Sequence, residues 1–191
     1  MISKFFLSTA YAASMSFEGQ RLYPGETATP QQIVALADEY RRAAEALLPT
    51  GRRRRPLTRA PYRLLAIHAV ELYLNAFLLA AGNLPAKLRG LHHDLAARTH
   101  FALEAKLLLR KRTLEHLRTL SAAREYLITR YDPAAPAGSE INRLAATLTE
   151  VGDKVKTAIS RMPIRDSVDN PARKVLGKAR ELRAQGTPQK L

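Results

Sequence analysis

The stretch from Pro61 to Gly82 constrains this chain most. Leu64, Leu65, Ile67, Val70, Leu72, Leu74, Phe77, Leu78 and Leu79 cover most of a helix's circumference instead of a single stripe. A helix that is apolar nearly all round has to be packed on several sides. Its length comes close to spanning a bilayer. However, His68, Glu71 and Asn75 interrupt it, and an ionisable group at mid-bilayer costs several kcal/mol. The sequence therefore predicts a central buried helix in a cytoplasmic protein, with no integral membrane association.

The flanking segments supply its partners. Thr29-Pro30 opens a helix, because Thr can cap and the missing N–H of Pro would be unpaired in the first turn anyway. Ile33, Leu36, Ala37, Tyr40, Ala44, Leu47 and Leu48 keep helical spacing up to Pro49. Residues 50–60 form a break. Residues 83–91, with Pro85 and Gly90, read as a connector with one helical turn. Asp94 can cap a helix over 95–107, and Thr113 one over 114–131. Ser139 opens a last long helix, in which Ile141, Leu144, Leu148, Val151, Val155 and Ile159 form a stripe that needs a partner helix, within the bundle or across a dimer. No run alternates at period two, so strands are not expected. The fold class is all-α, an up-down bundle of about five helices.

The 191 residues suit one domain with tails. Residues 1–29 read as a flexible leader, 30–160 as the bundle, and 161–191 as a basic tail with a short helix around Val175, Leu176, Ala179 and Leu182. Residues 1–14 resemble a secretory signal only faintly. Their apolar core, Phe5 to Ala10, is shorter than the roughly 7–15 residues a signal needs, and Met15 offers a second start.

Composition removes several chemistries. There is no Cys, which excludes disulfides, a thiol nucleophile, thiolate zinc sites and cysteine-ligated iron–sulfur clusters. The two common Gly-rich nucleotide fingerprints are absent. Lys and Arg exceed Asp and Glu by 31 to 17, a net charge of +14, so a polyanion is a reasonable partner. Arg52, Arg53, Arg54, Arg55, Arg59 and Arg63 occur with no acid between residues 50 and 66, and Arg112 belongs to a second run, Arg110-Lys111-Arg112. Such loops contact phosphate backbones without sequence preference. No aromatic is interleaved with Arg52–Arg59 or with Arg110–Arg112, so backbone and not base readout is expected. The alternative is a solvated loop that only keeps the chain soluble.

The segment AIHAVELYLNAFLLAAG, followed by LRGLHHDLAA and later by Arg130-Tyr131-Asp132-Pro133, resembles HEPN domains, the helical bundles named from higher eukaryotes and prokaryotes. The likeness spans about residues 30–160. One departure is Asn75, where many relatives carry Lys. The resemblance implies a homodimer and, in many members, a metal-independent RNase in which Arg and His of an R-x(4–6)-H motif meet in a shared cleft. Toxin or defence activity, an antitoxin and a partner nucleotidyltransferase belong to the same expectation.

Arg110 and His116 have the required spacing. Attack of a ribose 2′-OH on phosphate needs proton transfer, which His supplies near neutrality, and a fixed cation, which guanidinium supplies. His116 would fall in the first turn of its helix, where the helix N-terminus lowers its pKa. In some members a Tyr follows two residues after the His, whereas here that position is Arg118. The other reading of the pair is a solvated basic face with an incidental His.

His68, Glu71 and Asn75 share one helix face and form either a polar pocket or interface or a hydrogen-bonded network inside the bundle. His92 and His93 are adjacent, point apart and have no partner at ligand spacing, so no metal or other cofactor is expected. Two function classes remain: an RNase acting through Arg110 and His116, or a non-catalytic module binding nucleic acid, a nucleotide or a partner protein. Attachment to anionic membranes through the tail ranks third.

Overall fold

A computed structural model describes residues 23–52, 55–133 and 138–162. The leader up to residue 22, Arg53, Arg54, and the tail helix beyond Met162 lie outside the described residues. Among the described residues there are seven α-helices and no strand. They are α1 (Pro30–Leu47), α2 (Ala60–Ala80), α3 (Pro85–Gly90), α4 (Leu95–Glu104), α5 (Lys111–Ala122), α6 (Glu125–Tyr131) and α7 (Ile141–Arg161). Short 3-10 turns at Leu48–Thr50 and Pro56–Arg59 link α1 to α2.

Helix α2 is the hub, as its all-round apolar surface requires. It packs against α1, α3, α4, α6 and α7. Ala66, Ala69, Val70, Tyr73, Leu74, Ala76 and Leu78 are fully buried on it. Burying one large side chain of this kind contributes roughly 1.5–3 kcal/mol. Together with the turn before it, Pro56–Ala80 is the one described segment long and apolar enough to cross a membrane. Most of it is covered by the rest of the bundle.

The start of α1 is as expected, with a further device. Thr29 Oγ1 accepts from the Gln32 N–H, and Gln32 Oε1 accepts from the Thr29 N–H. These are the two halves of a capping box. Helix α1 runs antiparallel to α7, since Arg41 pairs with Asp153 and Asp38 with Lys156. The apolar stripe of α7 finds its partner inside the bundle: Leu144, Leu148, Val151 and Val155 are buried, and α7 packs on α2. Gly152 permits this closeness, because a Cβ there would lie 3.0 Å from the Tyr73 ring.

Three boundaries differ from the sequence reading. The helix expected over 95–107 stops at Glu104, and Lys106 then takes φ +69°. The Leu107 N–H donates back to the Ala102 carbonyl and the Lys106 N–H to that of Leu103, a Schellman ending built without Gly. The helix expected over 114–131 is two helices, broken where Arg124 adopts φ +50°. The break turns the Glu125 carboxylate onto Arg63 and Ser139, and that buried bonding outweighs helix continuity. Finally, Thr113 is not the cap of α5. Arg110 occupies that position, and Thr113 Oγ1 donates to Glu150 instead.

Candidate functional site

Arg110 and His116 both dock α5 on α7, with separate partners. The Arg110 N–H donates to Glu150 Oε1 at 2.7 Å. Its guanidinium lies 3.7 Å from Glu150 Oε2 and is 82% exposed. His116 is buried, and its Nδ1 hydrogen-bonds Thr147 Oγ1 at 2.8 Å. Because α5 starts at Lys111, His116 sits in its second turn and not its first. Burial, not the helix terminus, holds its pKa below the usual imidazole range. Its Nε2 has no partner among the described residues. The cavities beside His93 and beside Arg63 are lined by neither Arg110 nor His116. Within one chain the two side chains have separate partners.

The polar stripe on α2 divides. Glu71 and Asn75 join one network, organised by Arg98, a residue the sequence reading did not single out. Arg98 Nε donates to Asn75 Oδ1 at 2.8 Å, and its Nη2 lies 3.2 Å from Glu71 Oε1. The same guanidinium donates to the carbonyls of Leu88, Leu91, His92 and Asp94. His93 Nδ1 meets Glu71 Oε2 at 3.0 Å. The space between Glu71 and Asn75 is filled by Arg98 and is no pocket. His68 stands outside these hydrogen bonds. It packs edge-on against Tyr40, and burial lowers its pKa.

Asp94 caps α4 as expected, accepting from the Ala97 N–H at 3.0 Å. That bond, aided by Ser121, holds its carboxyl below the usual range. His92, His93, Asp94, Ser121, Arg124 and Tyr126 line an open hollow of about 390 Å³. No group of three or more His, Asp or Glu among the described residues could hold a metal ion.

A larger cavity, about 500 Å³, opens where the start of α2, the end of α6 and the start of α7 converge. Its floor is the buried pair Arg63 and Glu125, joined at 2.5 Å. The N–H and hydroxyl of Ser139 both donate to the Glu125 carboxylate. Gly138 lies so close over the pair that a Cβ there would sit 2.6 Å from Glu125 Oε1. The walls are Pro56, Leu57, Ile128, Pro133 and Ile141, with Arg59, Arg130, Tyr131, Asp132 and Glu140 around them.

Arg59 thus belongs both to this cavity and to the basic turn above it. That turn is closed locally. The Arg52 N–H donates to Thr58 Oγ1, Thr58 Oγ1 donates to the Arg55 carbonyl, and the Arg55 N–H donates to the Arg52 carbonyl. Arg52 and Arg55 are exposed and Arg59 half-buried. Among the described residues none of the three has a carboxylate ion-pair partner, and neither does Arg112. Arg112 lies on α5, away from the turn in sequence and not among the cavity's lining residues.

The chain matches no protein-family model, and no curated protein or solved structure matches it.

Proposed function

We propose that this chain is a HEPN-like helical module that binds nucleic acid through its phosphate backbone. The observation that carries the reading is the turn holding Arg52, Arg55 and Arg59, whose guanidiniums have no carboxylate partner among the described residues. A guanidinium already paired gains little from a phosphate, whereas an unpaired one releases a condensed counterion on contact. The net charge of +14 draws a polyanion toward the molecule from a distance. Helix α5 enters this reading as a packing element and not as a nuclease, because Arg110 faces Glu150 and His116 faces Thr147.

The test is fluorescence anisotropy of a labelled RNA strand with the full chain, between roughly 50 and 200 mM salt and with EDTA present. Binding weakens steeply as salt rises. Replacing Arg52, Arg55 and Arg59 together by Gln lowers affinity and flattens the salt slope by about 2, since each phosphate contact on a single strand contributes about 0.7. Unchanged affinity in that variant overturns the reading. Strand cleavage that survives EDTA and disappears in His116→Ala reinstates the catalytic alternative.

A further inference from the structure

In the sequence no aromatic lies within the Arg52–Arg59 run, and its neighbour Tyr62 is buried in the fold. An exposed ring comes from elsewhere in the chain. Tyr131, more than seventy residues away, closes α6 at the cavity that Arg59 borders and is 74% exposed. Leu57, the other large exposed apolar residue of this cavity, is 57% exposed. An exposed ring and an exposed Leu beside a hollow with apolar walls leave a surface that a flat ring can cover.

The charges of the hollow sort its occupant. Arg63 and Glu125 neutralise each other on the floor. Arg59 and Arg130 are balanced by Asp132 and Glu140 among the lining residues. A formally neutral cavity offers no net attraction to a phosphate, whereas the turn just outside it does. A heteroaromatic base is neutral, has π faces for Tyr131, and carries amide and amine edges for hydroxyls and carboxylates. The volume, about 500 Å³, lies within the usual range for small-molecule sites.

We propose that the cavity receives one unstacked base of a strand whose phosphates lie on the Arg52–Arg59 turn, so that the module selects single-stranded nucleic acid over duplex. The inference rests on the backbone-binding reading and adds the strandedness of the ligand. A paired base is stacked on both faces and cannot enter, while a single strand offers one at little cost. Stacking on a protein ring tolerates any base, so the selectivity is for strandedness and not sequence.

The experiment compares a labelled RNA strand with its duplex at one salt concentration, using the full chain, Tyr131→Ala and Tyr131→Phe. Tyr131 is mostly exposed, and thermal unfolding of both variants confirms that the bundle is intact. Wild type favours the single strand by about tenfold or more per base stacked. Tyr131→Ala loses that preference with its salt slope unchanged, and Tyr131→Phe keeps it. Equal affinity of wild type for strand and duplex overturns this inference and leaves the backbone reading standing. So does a full preference retained by Tyr131→Ala. No salt-dependent binding of either form overturns both.

Discussion

Arg98 and Arg63 each cross from one helix to a buried glutamate, yet the two pairs serve opposite ends. The Arg98 side chain is 3% exposed, and its guanidinium meets Glu71, Asn75 and four main-chain carbonyls. Every nitrogen of that guanidinium is already engaged. Its work is to fasten the 88–94 segment onto α2. The Arg63 side chain is 11% exposed and shares Glu125 with Ser139 at the floor of an open cavity. A buried charge repays its desolvation only when its hydrogen bonds are complete. In the first pair they are completed by backbone, which makes a staple. In the second they are completed by a residue on a loop, which makes the base of a hollow.

The largest expected effect separates the pairs. Arg98→Met leaves the Glu71 carboxylate with His93 alone and takes a donor from four carbonyls, so it costs about 3–5 kcal/mol in urea unfolding. Arg63→Met leaves Glu125 its two bonds from Ser139 and costs less. Equal losses would erase the distinction.

Gly138→Ala comes next. It drives a methyl against Glu125 and Arg63 without removing either. The expected loss is about 1–3 kcal/mol, as for an overpacked site. Measured on top of Arg63→Met it should shrink, since the crowded guanidinium is then gone, and a loss unchanged by that background would place the strain elsewhere.

The smallest effect is on pH dependence. Burial holds His116 and His68 below the ordinary imidazole value of 6.5 in the folded chain. Below that value the unfolded chain binds more protons than the folded one. Stability is therefore complete above about pH 6.5 and is lost as pH falls toward the folded values. Urea midpoints for wild type should drop between about pH 7 and pH 5.5, and His116→Gln should drop less steeply. A parallel decline would show that His116 does not contribute.

The fold was legible where its causes were local. Thr29-Pro30, Asp94 and the apolar circumference of α2 stated their roles in residue types and spacing. Two of the boundaries that escaped, the ends at Glu104 and Ala122, share one cause. The left-handed positions at Lys106 and Arg124 carry no Gly, so the usual marker of a chain reversal was missing. At Arg124 the reversal is fixed by the adjacent Glu125, which bonds to Arg63 sixty-two residues back. The candidate site was half legible. The arginines of the turn were visible as a run. Arg98 was not, because one Arg inside an amphipathic helix looks like a solvated face. Tyr131 joined the cavity only through the packing of α6 on α2, a contact no periodicity records.

Helix α2 is the second of the described α-helices, while α7, which covers one of its long faces, comes after every other described helix. On a ribosome the central helix is therefore made long before its last cover. Until α7 emerges, the buried face around Tyr73 and Val70 has only α1 and the short helices against it. Such half-built cores present apolar surface to other chains and to chaperones. The order of synthesis thus runs against the order of packing, and this bundle completes itself late.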